Sequence, residues 1–133
     1  MSFRLPRFPM LTIFHNPTSK VSIEALRLLK RASVNHDFKV DLVQTKSEAP
    51  THQQIANIVD YLGNGSIPTG AQLILDPEAP VKASTVAEVQ KILDAHPQYL
   101  RKPLIVDWNK GKAIIADPPT KVKEIVKDVG ESE

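Results

Sequence analysis

Two short strand patterns with one amphipathic helix between them limit the possible folds of this chain more than any other feature. Residues 10–14 are apolar and partly β-branched or aromatic, and residues 37–43 alternate between apolar and charged side chains; both patterns predict strands. Between them, Ser19 or Thr18 is suited to be the N-cap of a helix. The apolar face of that helix is formed by Val21, Ala25, Leu28, Leu29 and Ala32. A helix that connects two strands predicts a parallel strand pair.

Two further helices are marked by capping boxes. Thr51 is followed three residues later by Gln54, and Thr85 is followed by Glu88 at the same spacing. Their apolar stripes consist of Ile55, Ile58, Val59 and Leu62 in the first helix and Val86, Val89, Ile92 and Leu93 in the second. Gly63 is expected to end the first of these helices.

The last quarter of the chain carries the signature of a β-hairpin followed by a helix. After Pro103, the apolar runs 104–108 and 112–116 are joined by residues 109–111, whose glycine can adopt the left-handed conformation. Asp117 is predicted to be the N-cap of a final helix that starts at Pro118. The stripe of that helix is Val122, Ile125, Val126 and Val129.

The element order is β-α-β-α-(insert)-α-β-β-α, which predicts an α/β protein. The four strands form one mixed sheet, and its two apolar faces must both be covered by helices. A four-stranded mixed sheet with helices on both faces is the thioredoxin-like fold. A length of 133 residues allows one domain. We predict a basic N-terminal arm at 1–9, a single domain at 10–130 and a tail at 131–133. Residues 63–83 hold three of the five glycines and three prolines, and we predict an irregular insert there.

Several segments resemble a known branch of the thioredoxin superfamily. Residues 12–20, Thr-Ile-Phe-His-Asn-Pro-Thr-Ser-Lys, resemble the opening of the arsenate reductase-like proteins, which reads strand, His/Tyr-Asn-Pro-x-Cys-Ser, then helix. Residues 92–106 resemble the helix end and the Arg-Pro-Ile-Val-Val strand of that branch, and residues 116–119 resemble its Arg-Pro-Pro-Glu segment. The strand at 106–108, the length and the insert resemble a fungal family of small, thioredoxin-like, mitochondrial redox proteins. Membership of that family implies an oxidoreductase located in the mitochondrion.

The chain departs from these families at the residues that perform the chemistry. Ser19 stands in the place of the nucleophilic cysteine of the arsenate reductases, and Lys102 and Asp117 replace two of their arginines. The fungal family has its redox cysteine early in the first helix, where the nearest counterparts are Ser22 and Ala25. The sequence contains no cysteine, and a hydroxyl without a base beside it cannot replace a thiolate.

Three functions therefore stay open, and whether the protein is an enzyme is uncertain. The first is an oxidoreductase by resemblance, which lacks the catalytic cysteine and thiol chemistry of its own. The second is a non-catalytic binding or scaffold module in a protein complex. The third is a glutathione-handling, transferase-like protein in which Ser19 or backbone groups activate glutathione as a bound thiol. No residue is assigned as catalytic.

The candidate ligand pocket lies where the first helix begins and comprises Asn16, Thr18, Ser19, Lys20, Lys102 and Pro103. Backbone N–H groups at a helix N-terminus, together with hydroxyls and a lysine, can hold a carboxylate or a phosphate. The alternative is that Ser19 is only an N-cap. Pro103 is expected to be cis, as the resemblance implies for the residue that opens the hairpin. This would leave the backbone before it free for an extended ligand and bring Lys102 to the same pocket; the alternative is a structural relic.

The four histidines show no spacing typical of a metal site, and no metal is expected. His15 ends the first strand and can approach Ser19, so a serine–histidine pair is an alternative for this loop. A net charge of +2 does not indicate nucleic acid as a partner. Apolar runs of a handful of residues predict no membrane span.

The start of the chain is basic and has no acidic residue before Glu24. Such a start, with Arg4 and Arg7, is compatible with a mitochondrial address. Pro6 and Pro9 argue against the amphipathic helix of a good transit peptide, and the alternative location is the cytoplasm.

Overall fold

The protein was analysed as a computed structural model, which describes residues 9–36, 38–44 and 49–127. Its strands are β1 (Met10–Phe14), β2 (Lys39–Val43), β3 (Leu104–Asp107) and β4 (Lys112–Ile115). They form one sheet in the order β2-β1-β3-β4. β1 is parallel to β2 and antiparallel to β3, and β3 is antiparallel to β4. The predicted four-stranded mixed sheet is confirmed.

Helices cover both faces of this sheet, as predicted. They are α1 (Lys20–His36), α2 (His52–Gly63), α3 (Ile67–Ile74), α4 (Val86–Ala95) and α5 (Val122–Val126). Short 3₁₀ turns occupy Pro97–Tyr99 and Pro119–Lys121. α2, α3 and α4 pack on one face around Phe14, Leu104 and Val106. α1 and α5 pack on the other around Leu11, Ile13 and Ile105. Successive strand residues point to opposite faces, so each buried strand serves both cores.

The two capping boxes, the hairpin and the cis peptide bond are confirmed in detail. Thr51 and Thr85 each accept a hydrogen bond from the N3 amide of their helix, and Gln54 and Glu88 bond back to the N-cap amides. β3 and β4 form the predicted hairpin, in which Gly111 has a φ of 67°. The peptide bond between Lys102 and Pro103 is cis, as expected.

The prediction of an irregular insert at 63–83 is wrong for its first half, because residues 67–74 form α3. Two of the three glycines in the segment, Gly63 and Gly70, allow close packing between helices. A Cβ at Gly70 would overlap the carbonyl oxygen of Val59, and one at Gly63 would lie 2.7 Å from the Gly70 amide nitrogen. α2 and α3 therefore touch backbone to backbone. Pro68 sits in the first turn of α3, where its missing N–H costs nothing.

Two helix boundaries also differ from the predictions. Gly63 still belongs to α2, and the left-handed residue after it is Asn64, with a φ of 54°. Asp117 is not the N-cap of the last helix, because Pro118 is extended and the chain first makes the 3₁₀ turn. The reason is that Pro119 follows Pro118, and the ring of a proline disfavours helical backbone angles in the residue before it.

Some predictions lie outside the described residues. These are the arm at 1–8, the first residue of the 37–43 strand pattern, Val129 and the tail at 131–133. None of the helices in the described ranges combines the length and the apolar character needed to cross a membrane.

Candidate functional site

The loop between β1 and α1 is held by its own side chains. Asn16 Oδ1 accepts hydrogen bonds from the amide of Thr18 at 3.0 Å and from its hydroxyl at 2.8 Å. Ser19 Oγ accepts the amide of Ser22 at 3.2 Å, and its carbonyl accepts the amide of Ile23 at 2.9 Å. Ser19 is therefore the N-cap of α1, as predicted, and its hydroxyl satisfies one of the free amides of the first turn.

A buried pair of polar side chains, His15 and Ser22, lies beneath this loop. His15 is 4% exposed and Ser22 is fully buried. His15 Nδ1 lies 2.6 Å from Ser22 Oγ, which also accepts the amide of Asn16 at 2.9 Å. The alternative that paired His15 with Ser19 is wrong, because the histidine contacts the serine one helical turn further on. Since Ser22 has no exposed surface, it is not placed to attack a substrate.

The His15 imidazole is held neutral. Burial lowers the pKa of His15 from its usual 6.5, and the positive charges of Lys30 and Lys102 lower it further. His15 Nδ1 is engaged with the Ser22 hydroxyl, and the tautomer of the ring decides which of the two donates. Because Nδ1 is taken, Nε2 is the ring nitrogen left to meet a ligand in the cavity that His15 lines.

A cavity of about 290 Å³ opens beside this pair. It is lined by His15, Asn16, Pro17, Thr18, Asp76, Gln98, Leu100 and Lys102. Of the predicted pocket residues, Asn16, Thr18 and Lys102 line it. Ser19 and Lys20 do not, and Lys20 points to solvent. Pro103 is buried at the start of β3, directly after Lys102.

Sequence reasoning missed the wall formed by Asp76, Gln98 and Leu100. These residues are remote from the α1 loop in the chain and reach it through two backbone contacts. Leu75 forms a β-bridge with Leu100, and the Asp76 amide donates to the carbonyl of Tyr99 at 2.8 Å. No local signal in the sequence announces such a pairing between a loop and a 3₁₀ turn.

The cavity combines one cation, one carboxylate, two amides and a neutral imidazole. Lys102 suits a carboxylate and Asp76 suits an amine. Gln98 can donate or accept, whereas Asn16 can donate from Nδ2, since its Oδ1 already accepts two bonds from Thr18. The described residues hold no cluster of histidine and carboxylate side chains able to bind a metal ion. A neighbouring cavity of about 350 Å³ is formed by residues 72–83 and shares Asp76, but it contains no groups from the α1 loop. The arrangement around His15 is suited to binding a small polar molecule with both charge types.

The fold has a close counterpart among solved structures. The arsenate reductase from Vibrio cholerae superposes with a TM-score of 0.68 over 90% of this chain and 99% of that chain, at 19% sequence identity. At this identity the likeness shows the fold alone, and it confirms the predicted thioredoxin-like fold. The fungal and mitochondrial parts of the resemblance stay predictions.

The sequence was also compared with curated proteins and with protein families. None of the curated proteins matches the chain significantly. A family model described as "Protein of unknown function (DUF1687)" matches residues 3–117. Because the match covers most of the chain, the protein belongs to this family.

Proposed function

We propose that the protein is a binding module with a thioredoxin-like fold, without thiol chemistry of its own, which holds a small ligand bearing a carboxylate and an amine. The observation that carries the proposal is the cavity at the start of α1. One wall comes from the loop at Asn16 and Thr18, another from Lys102, and the buried His15 also lines the cavity, with its Nδ1 held by Ser22. Pockets with a few convergent polar groups are the usual sites for small ligands.

The lack of intrinsic thiol chemistry follows from the residues present. Reduction through a covalent sulfur intermediate requires a thiolate, and the sequence has no cysteine. Ser19 is occupied as the N-cap of α1, and Ser22 is fully buried against His15. Neither hydroxyl is placed beside both a base and a substrate cavity in the way that nucleophilic catalysis needs.

Glutathione is the ligand with which we propose to test the site. It carries two carboxylates, one ammonium group and two amides, which correspond to the mixed charges of the cavity. In this proposal Lys102 pairs with a carboxylate, Asp76 pairs with the ammonium group, and His15 Nε2 forms a hydrogen bond. Charge-assisted hydrogen bonds of this kind are the stronger ones in proteins.

The test is a titration followed by calorimetry and by amide NMR shifts. Glutathione and S-methylglutathione should both bind and shift the amides of residues 15–18, because the proposal assigns the thiol no role. Lys102→Met should weaken binding about tenfold or more, since it removes a charged partner. Lys91→Met, at an exposed position on α4, is the matched control and should bind like the unmodified protein. Equal affinities for the two variants, or shifts away from residues 15–18, would contradict the proposal.

A second candidate function is oxidoreductase chemistry in which bound glutathione supplies the sulfur. The observation that favours it is the likeness in fold to an arsenate reductase. In that case, the glutathione thiolate attacks a disulfide substrate, forms the mixed disulfide and releases the other thiol. A second glutathione then attacks this mixed disulfide, which forms oxidised glutathione and releases the second thiol of the substrate. A coupled assay with glutathione reductase and NADPH measures this turnover. We expect none above the rate without protein, and a clear excess would replace the binding proposal.

We also propose a mitochondrial location, which rests on the resemblance to the fungal family and on the basic start of the sequence. The cytoplasm is the alternative. Fractionation of cells that express the chain with a C-terminal tag distinguishes the two, and recovery with the cytosolic marker would overturn this part of the proposal.

A further inference from the structure

The outer edge of β4 is unpaired in the part of the chain that the structure describes. The strand order places β4 at the end of the sheet. The amide of Ala116 donates to the carbonyl of Pro103, which fixes a hydrogen-bonded pair at the end of the hairpin ladder. Antiparallel ladders alternate, so Ile114 bonds to β3, whereas the N–H and C=O groups of Ala113 and the N–H of Ile115 point away from the sheet.

A groove runs along this edge between two helical walls. It consists of two adjoining cavities of about 220 and 570 Å³, both of which include Leu62 and Ala113. One wall is apolar and is formed by Tyr61, Leu62 and Leu73 of α2 and α3. The opposite wall is α5, with the charged residues Lys121, Glu124 and Lys127 at or beside it.

The groove has an excess of positive charge. Its basic residues are Arg101, Lys112, Lys121 and Lys127, and its acidic residues are Asp117 and Glu124. Within the described ranges, no salt bridge joins Arg101, Lys121 or Lys127 to an acidic residue. The charges of these three residues are therefore available to an approaching acidic chain, and they outnumber the two acidic residues of the groove, which favours an acidic partner.

We propose that the edge of β4 is a docking site for an extended segment of a partner protein in which apolar and acidic side chains alternate. The segment adds a fifth strand to the sheet by bonding to the outward groups of Ala113 and Ile115. Side chains of a strand point alternately to its two sides. One set then packs on Leu62 and Leu73, and the other faces Lys121 and Lys127. This inference is independent of the ligand cavity, which lies at the start of α1.

A second copy of the chain suits this edge less well than an acidic partner. An antiparallel pair of β4 strands around a two-fold axis at Ile114 would pair the outward groups of Ala113 with those of Ile115 and place Lys112 of one copy beside Ala116 of the other. Arg101 and Lys121 line the groove at that end, so basic residues of both copies would meet. Like charges brought together across an interface oppose association.

The test uses the full chain and a short synthetic peptide in which valine and glutamate alternate. Binding is followed by amide NMR and by calorimetry. We expect the largest shifts at residues 113 and 115, an affinity that falls with added salt, and binding at least tenfold weaker for the same peptide with lysine in place of glutamate. Equal binding of the lysine peptide, or shifts confined to β2 at the other edge, would overturn the proposal.

Two sets of variants separate the backbone contribution from the charge contribution. Ala113→Pro removes an outward N–H that the β3–β4 ladder does not use, and it should weaken binding at least tenfold while the NMR spectrum stays folded. If that variant does not fold, the double variant Lys121→Glu/Lys127→Glu should still weaken binding about tenfold. The matched control is Lys91→Glu on α4, which should leave binding unchanged. Equal losses in the control and the double variant would refute the charge argument.

Two other occupants give distinct results in the same samples. Shifts of residues 113 and 115 that depend on protein concentration without peptide would assign the edge to a second copy. The sequence after Lys127 is acidic, with Asp128, Glu131 and Glu133. Nuclear Overhauser contacts from those residues to Ala113 without peptide would assign the groove to the chain itself. Either result would overturn the proposal of a partner protein.

Discussion

Removing the Ser22 hydroxyl is the most direct test of how the α1 loop is held. Ser22→Ala deletes one oxygen atom that is fully buried and makes two hydrogen bonds. One is the 2.6 Å contact with His15 Nδ1, and the other is the 2.9 Å bond donated by the Asn16 amide. The substitution keeps the Cβ atom and removes no apolar contact of the core.

The expected cost follows from the two partners that lose their bond. A buried polar group left without a partner costs about 1–3 kcal/mol. His15 is 4% exposed, so its Nδ1 takes this penalty nearly in full. Asn16 is half-buried, and water can partly replace the bond to its amide. Alanine is the better helix former by about 0.5 kcal/mol, which offsets a small part of the loss. We expect the free energy of unfolding to fall by about 2–4 kcal/mol.

The assay is urea unfolding followed by the fluorescence of Trp108, the single tryptophan of the chain. Trp108 is half-buried, donates from Nε1 to Thr12 at 2.9 Å and meets Tyr61 edge to face, so its emission should report on global unfolding. The matched control is Ser33→Ala, which removes an exposed hydroxyl that donates to the Lys30 carbonyl on the same helix. The control should change stability by less than about 0.5 kcal/mol. Similar losses for Ser22→Ala and Ser33→Ala would refute the reasoning.

Three further predictions concern the same elements. Burial and the nearby charge of Lys30 lower the pKa of His15, so the unfolded chain binds more protons than the folded chain near that pKa. The free energy of unfolding should therefore fall as the pH drops below about 6.5. His15→Asn should reduce that pH dependence in urea titrations at several pH values. Gly70→Ala should lower stability by about 2–4 kcal/mol despite its better helix propensity, because the new methyl overlaps the Val59 carbonyl; an unchanged thermal midpoint would contradict this contact. Ser19→Cys should yield a thiol that titrates below about 8.5, because it sits at the N-terminus of α1; a thiol that titrates at or above that value would contradict its placement as N-cap.

The parts of the fold that the sequence predicts are those fixed by residues close together in the chain. The capping boxes at Thr51 and Thr85 each need two side chains three residues apart, and both are present. The hairpin depends on a left-handed residue between two apolar runs, which Gly111 supplies. The order of these elements then leaves few ways to cover both faces of one sheet.

The errors arise where a residue type has two physical uses. In the sequence, Gly63 and Gly70 indicate the end or the absence of a helix. In the structure, they allow the backbones of α2 and α3 to touch. Glycine marks both situations, and only the partner helix distinguishes them. The sequence predicts Pro118 in the first turn of the last helix, but Pro119 after it keeps Pro118 extended.

The candidate site was predicted only on the side that is local in sequence. Asn16 and Thr18 belong to one loop, and Lys102 was placed beside it through the cis bond that opens β3. Asp76 and Gln98 come from segments whose approach depends on the bridge between Leu75 and Leu100. Pairing between segments outside the regular helices and strands leaves no periodic pattern in the sequence, so the wall formed by Asp76, Gln98 and Leu100 was not foreseeable.

The His15–Ser22 pair gives the loop a physical role that needs no thiol. The Ser22 hydroxyl makes two short hydrogen bonds, whereas a thiol in its place would be a weak donor and acceptor. The serine therefore fixes the loop that bears Asn16 and holds the His15 ring at the wall of the cavity. A loop ordered before binding loses less conformational entropy when a ligand arrives. In the proposed binding function, the His15–Ser22 pair lowers this entropic cost by ordering the loop in advance.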